Sequence, residues 1–333
     1  MVARKRLSSL AMLRYIFSGI CLALAGCGYA QLRWINVDSA FQPLPSSVHV
    51  YYTQEPLDTA PFRAYYVIAD LRSKSLDFDV DTTFERRMTP SEFFQRNNQP
   101  LIVVNTTFFS FETNRNLNAV VRHGRLVGFN IHSLPGRGKD TFTYRHAFGS
   151  AIGFYKNGRA DVAWLVTDSS RKWPLATQRK ISSFRDSLPH AGASYLVRRG
   201  GEGNQDVFKK WKVHTAVGGG PVLVQNGLVD ISNNEEIKFA GKAIYDKHPR
   251  TAMGYTKEGQ LIILVIEGRN PAAGGADLLQ EAKMLQDLGC VEAINLDGGG
   301  SSCLLINGKE TINPSDKKQR PVPAVFLIRS KKY

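Results

Sequence analysis

The stretch from Leu261 to Ser302 constrains this chain more than any other. It opens with the apolar run LIILVI at 261–266 and closes with VEAINL at 291–296. Between them Leu278, Leu279, Ala282, Leu285 and Leu288 recur at helical spacing. Strand, amphipathic helix and strand in that order form a βαβ unit whose two strands run parallel. The helix is expected over 276–288, with Gly289 placed to end it.

Elsewhere the apolar runs are short and bounded by turn residues. Further candidate strands are 64–69, 101–104, 119–127 with a break at Gly124, 150–155, 160–166, 222–224 and 303–306. Asn157-Gly158, Asn226-Gly227 and Asn307-Gly308 sit between such runs. That dipeptide suits the positive φ angles of a tight hairpin, so much of the sheet is expected to be antiparallel. A second helix is expected over 90–97, behind Thr89 as N-cap. The fold class is therefore mixed α/β (α+β): a largely antiparallel sheet with a C-terminal βαβ crossover, in a single domain.

At the amino terminus Arg4, Lys5, Arg6 and Arg14 precede an uncharged run, 15–25. This is a basic region followed by an apolar region too short for a spanning helix, which needs about 20 residues. Leu24-Ala25-Gly26-Cys27 resembles a bacterial lipobox, which implies cleavage after Gly26 and a lipid on Cys27. The expected organisation is a lipoprotein-type signal at 1–26, a proline-containing tether at 27–62 and a domain at 63–333. The address is extracytoplasmic, with the membrane reached through the lipid on Cys27. Gly28 resembles the pattern sorted to the outer membrane, if the host has one.

The chain carries 43 Lys and Arg against 29 Asp and Glu, a net charge of +14 over 333 residues. Ten basic and three acidic residues fall between Arg171 and Lys212, dense in turn residues, which suggests a basic insertion at 171–212. It is expected to border the pocket and attract an anionic glycan. Trp173, Tyr195 and Trp211 interleave with those charges, as sugar-stacking faces or as anchors of the insertion. No nucleic-acid motif accompanies the charge, so no nucleic-acid partner is expected. With 43% hydrophobic residues, intrinsic disorder is excluded.

Several chemistries lack their residues. The four cysteines form no CxxC pair, the seven histidines form no HxxxH, and P-loop, dinucleotide and nucleophile-elbow strings are absent. Cys290 and Cys303 flank the 291–296 strand, as a disulfide or as two buried thiols.

Ligands of such sheets gather beyond the carboxyl ends of the parallel strands. Here those ends are Glu267-Gly268-Arg269 and Asp297-Gly298-Gly299-Gly300-Ser301. If the strands are neighbours, their backbones lie about 4.8 Å apart, close enough for two carboxylates to flank a glycosidic bond. The glycines let backbone N–H groups approach an oxyanion, and Arg250 and Arg269 offer guanidinium donors. The plainer reading makes the glycines a tight turn and the aspartate its internal acceptor.

The string GCVEAINLDGGGSS at 289–302 is similar to the signature of the phosphodiester glycosidase family. NTTFFS (105–110), LNAVVRHGRLVG (117–128), SAIGFYKNGRADV (150–162), AVGGGPVLVQNG (216–227), HPRTAMGY (248–255) and LVIEGRN (264–270) follow in family order, covering about residues 60–330. The resemblance implies hydrolysis of a sugar-1-phosphodiester on a phosphate-bearing or otherwise anionic glycan. One of Asp297 and Glu267 is then the general acid, and the other activates water or attacks the anomeric carbon. Arg250, Thr251, Arg269, Asn105, Asn295, Gly298, Gly299, Gly300 and Ser301 are the substrate- and phosphate-binding residues. No cofactor is implied, though a divalent cation on Asp297 and Glu267 would make a metal-dependent phosphodiesterase instead. Thr106 and Thr107 stand where the family has glycines, Glu267 where it has Asp, and Asp277 where it has Thr. These departures keep a non-catalytic, lipid-anchored glycan-binding or envelope-assembly protein as the alternative.

Overall fold

The LIILVI run lies in the middle of an eight-stranded sheet and is buried on both faces, which is why its residues do not alternate in polarity. The computed structural model describes residues 32–204 and 207–331, and from Arg33 onward the chain forms one compact unit. The elements that build the site are β1 (Ile102–Asn105), β2 (Arg250–Thr256), β3 (Gln260–Ile266), α1 (Leu278–Asp287) and β4 (Cys290–Asn295).

The eight-stranded sheet runs Ile35–Asn36, Val48–Thr53, Ala64–Asp70, β3, β2, β4, Val222–Gln225, Leu228–Val229. A seven-stranded sheet is centred on Ala160–Val166, Ser150–Phe154 and Thr215–Gly218, and a five-stranded sheet on Leu304–Ile306, β1 and Ala324–Ser330. Every pairing inside these sheets is antiparallel among the described residues, as the hairpin signals imply. The three sheets share one core: Val67, Ile263 and Ile294 meet Ile152, Trp164 and Val217, and Val104, Ile306 and Phe326. Each such side chain contributes about 1.5–3 kcal/mol by leaving water. On the outer face of the large sheet α1 buries Leu278, Ala282 and Leu285.

Local signals account for the punctuation. Asp277 caps α1, its side chain accepting from Gln280 N at 2.8 Å while its own N–H donates to Gln280 Oε1 at 3.0 Å; Gly289, at φ 82°, ends the helix. Thr89 caps the helix Pro90–Arg96 in the same way. Asn226-Gly227 and Asn307-Gly308 turn with both residues at positive φ. His123-Gly124 does likewise between Val120–Arg122 and Arg125–Gly128, the run expected as one broken strand. At Asn157-Gly158 only the glycine has positive φ, because the connection there is longer.

Three expectations are corrected. β3 and β4 are not neighbours: β2 lies between them, antiparallel to both, with Arg250 opposite Ile266 and Ala252 opposite Asn295. The two strands therefore point the same way two spacings apart, about 10 Å rather than 4.8 Å. Residues 33–62 are no tether, since Val48–Thr53 pairs with Ala64–Asp70 and Phe41, Val48 and Val50 enter the core. The segment 171–212 is woven into the fold. Leu175–Thr177 and Lys209–Lys210 join the seven-stranded sheet, and Trp211 is buried with its indole N–H 2.7 Å from Asp161. The expected signal at 1–26 and Cys27 lie outside the described residues. No helix within them is long and apolar enough to cross a membrane.

Candidate active site

β2 brings the two acidic strand ends to one edge. Its first residue, Arg250, and Pro249 just before it run between Gly268 and Gly298 so closely that a Cβ on either glycine would lie 2.8 Å or less from the Pro249 backbone. The turn after β4 takes its shape from Asp297 N, bonded to Thr106 O at 2.8 Å, and Gly299 N, bonded to Pro249 O at 2.8 Å. Gly299 sits at φ 61°, where a side chain would strain the backbone.

Asp297 is the most perturbed acid of this edge. Burial pushes its carboxyl up to about 7, against the Ser301 hydroxyl, the Arg320 charge and the Gly298 N–H, which all favour the anion. Arg320 is locked to Asp316 at 2.7 Å and reaches Ser301 Oγ at 3.4 Å. On the other side of the turn the exposed Arg269, itself at φ 62°, lies against Gly299 and donates to His248 Nδ1 at 3.1 Å. Burial and the charges of Arg269 and Arg250 lower the His248 pKa, which favours the neutral acceptor. Two guanidinium groups thus flank one glycine turn with a neutral-poised carboxyl at its root.

Glu267 occupies the same edge with a separate set of partners. It is buried, and its oxygens accept from Asn313 N, Asn313 Nδ2 and Asn270 Nδ2, each at 3.1 Å, with Arg63 at 3.9 Å. Asp297 and Glu267 share none of these partners, but one loop, 311–323, supplies Arg320 to the first and Asn313 to the second.

The other expected residues are placed behind this surface. Asn105 is fully buried, donating to Asp297 O at 2.6 Å and accepting from Cys303 N and Thr251 Oγ1, both at 3.0 Å. Thr251 also reaches Ser302 Oγ at 3.2 Å. Asn295 gives its Nδ2 to Gly220 O at 2.9 Å, and its Oδ1 is buried without a partner. Arg250 is 2% exposed; its Nε and Nη2 donate to Ala276 O and Asp246 O, and it lies 5.7 Å over the Phe239 ring. So Asn105, Thr251 and Arg250 hold the frame; Gly299, Gly300 and Ser301 are buried with it, Asp297 and Gly298 are half-buried, and Arg269 is exposed. Of the turn amides, Gly298 N bonds the Asp297 carboxyl and Gly299 N bonds Pro249 O, so neither is free for an oxyanion.

Residues that sequence reasoning missed complete the site. Arg320 and Asn313 come from a loop without periodicity, and Glu281 of α1 hides in a helical pattern. Burial pushes the Glu281 carboxyl up to about 8 beside Arg250, and neither oxygen has a hydrogen-bond partner. Next to Gly220 a cavity of about 250 Å³ is lined by Phe108, Asn118, Glu236 and Lys238, whose ammonium lies 5.5 Å over Phe108 and is lowered in pKa by burial. Cys290 and Cys303 are buried free thiols, and burial raises Cys290 to about 12. No three His, Cys, Asp or Glu side chains converge to hold a metal ion among the described residues.

Comparison with known proteins places this arrangement. Bovine N-acetylglucosamine-1-phosphodiester alpha-N-acetylglucosaminidase is 41% identical over 105 residues, 29% of this chain and 20% of the bovine protein. The SPbeta prophage-derived uncharacterized protein YomE of Bacillus subtilis (strain 168) is 38% identical over 82 residues, 25% of this chain and 13% of that protein. The chain thus spans a fifth or less of the length of these relatives. The zebrafish N-acetylglucosamine-1-phosphodiester alpha-N-acetylglucosaminidase catalytic domain, auto-inhibited by its pro-peptide, has the same fold. It superposes with a TM-score of 0.57 at 19% identity, covering 87% of this chain and 85% of that one. The phosphodiester glycosidase family model matches residues 98–329, more than two thirds of the sequence, and this chain belongs to that family.

Proposed function

We propose that the protein hydrolyses a sugar-1-phosphodiester, releasing the sugar and leaving a phosphomonoester. The observation that carries the reading is the Asp297 carboxyl, held at about 7 at the root of a turn flanked by Arg269 and Arg320. A carboxyl poised there is half protonated at neutral pH and can give its proton to the departing phosphate oxygen as the C1–O bond breaks. Water adds to the anomeric carbon, its proton passing to Glu267. Arg269 stabilises the charge on the phosphate, and Asn105 and Thr251 act by positioning Asp297. The substrate is a phosphate-bearing or anionic glycan of the cell envelope, reached from a lipid anchor on Cys27.

The test is turnover of a chromogenic sugar-1-phosphodiester by the wild type, Asp297→Asn, Arg269→Ala and Glu267→Gln. Losses of about 10²-fold or more in kcat for the two acid variants support the reading. Near-normal turnover in Asp297→Asn and Arg269→Ala overturns it. Binding without turnover in the wild type favours the glycan-binding alternative, to which Thr106 and Thr107 point: both are buried where the family carries glycines.

A further inference from the structure

A second, larger concavity lies at the opposite end of the sheets. On the strand Ala324–Ser330, Val325 pairs with Asn105 of the active-site edge, whereas Lys331, six residues further on, lines this concavity. At about 3.3 Å per residue the two sites are about 20 Å apart along the strand. The concavity is two adjoining hollows of about 560 and 490 Å³, joined through Tyr155, Lys156, Asn157 and His214.

Its walls are cationic. Lys74 and Lys331 stand on one side, Lys156 at the join, and Lys172 and Lys212 on the far side. All five are exposed, and none forms an ion pair among the described residues. Asp77 is the single acid in the lining, and it already lies 3.7 Å from Arg329. Like charges gathered in one hollow repel one another, a cost that a bound polyanion removes. Between Lys172 and Lys212 lies the half-buried Trp173, with their ammonium groups 4.7 and 5.6 Å from its ring. The indole holds the two ammonium groups together by cation–π contact, so their charges are presented side by side to a chain bearing anionic groups at intervals, and lysine, a point charge on a flexible stem, does not demand fixed anion geometry. Of the basic residues of 171–212, Lys172 and Lys212 line this groove.

We infer that this groove binds a linear acidic polysaccharide, holding the chain while a distant linkage occupies the active site. The identification of the polymer as the enzyme's own substrate rests on the hydrolase reading above; the groove's binding does not. The test titrates a fluorescently labelled oligogalacturonate of about ten residues against the full chain and a Lys156→Glu, Lys172→Glu, Lys212→Glu variant, by anisotropy at low salt. The expected result is about tenfold or greater weakening in the triple variant and a shallower salt dependence. Asp297→Asn binds as the wild type, and turnover of a small sugar-1-phosphodiester is unchanged by the triple variant, whose thermal melt reports its folding. Equal binding by wild type and triple variant overturns the proposal. So does equal affinity for a single-stranded oligonucleotide of the same charge, which would reduce the groove to a non-selective cation patch.

Discussion

Asn105 and Asp297 are joined across 192 residues by a 2.6 Å hydrogen bond from the Asn105 amide to the Asp297 carbonyl. The same amide accepts from Thr251 and from Cys303 N, so one buried side chain ties β1, β2 and the glycine turn together. Asp297, the proposed acid, is therefore held by its backbone, which leaves its carboxyl to be set by burial, the Ser301 hydroxyl, the Arg320 charge and the Gly298 N–H.

Asn105→Ala removes three hydrogen bonds at once, to Asp297 O, Cys303 N and Thr251 Oγ1, of which only Thr251 keeps a second partner in Ser302. It is expected to cost about 2–4 kcal/mol of stability and to lower kcat more than KM, because Asp297 is no longer held in place. Denaturant unfolding and steady-state kinetics check both; unchanged stability removes the tie from the account.

Asp297 predicts the pH profile. If its proton is the one transferred, kcat/KM falls as pH rises through about 7. Arg320→Ala removes a charge that favours the anion, so the falling limb moves to higher pH. A limb that stays in place shows that Arg320 does not act on Asp297.

Glu281 makes a separate prediction about stability. Its folded pKa of about 8 lies above the ordinary 4.5, so the folded state holds a proton that the unfolded chain releases between those values. Stability from this group is complete below about 4.5 and declines as pH rises to about 8. Glu281→Gln removes that decline, so the Tm advantage of the variant should be small at pH 5 and grow towards pH 9. A gap independent of pH contradicts the assignment.

Gly300→Ala places a methyl against the Arg320–Asp316 pair, whose side chains must move. The expected outcome is a loss of activity of about tenfold or more with a stability change under about 1–2 kcal/mol, since the obstruction is side chain rather than backbone. Gly298→Ala, which meets the Pro249 carbonyl at 2.7 Å, should instead be costly to folding. Thermal melts and activity measured on both variants separate the two effects.

Much of the local structure was legible. The capped helix after Asp277, the Asn-Gly hairpins and the doubly buried LIILVI run each follow from short-range chemistry, and the order of motifs is enough to identify the family. β2 escaped notice because RTAMGYT mixes polar and small residues with a single long apolar one. Its glycine packs against Ala293, and its Arg250 and Thr251 are buried through partners distant in sequence. The strand Leu76–Thr82 hid for the same reason: Asp79 and Asp81 are buried against Arg122, with Arg329 also on Asp79 and Arg96 on Asp81.

By itself the sequence determined which residues could carry the chemistry, Asp297, Glu267 and Arg269, because strand ends, turn glycines and charge are local properties. Only the tertiary structure decided how they stand to one another. It inserted β2 between the two acidic ends, brought Arg320 and Asn313 from a later loop, and set Lys172 and Lys212 in the far groove. Pairing order and burial depend on contacts between segments far apart in the chain, and those contacts set both the spacing of the acids and the protonation of Asp297.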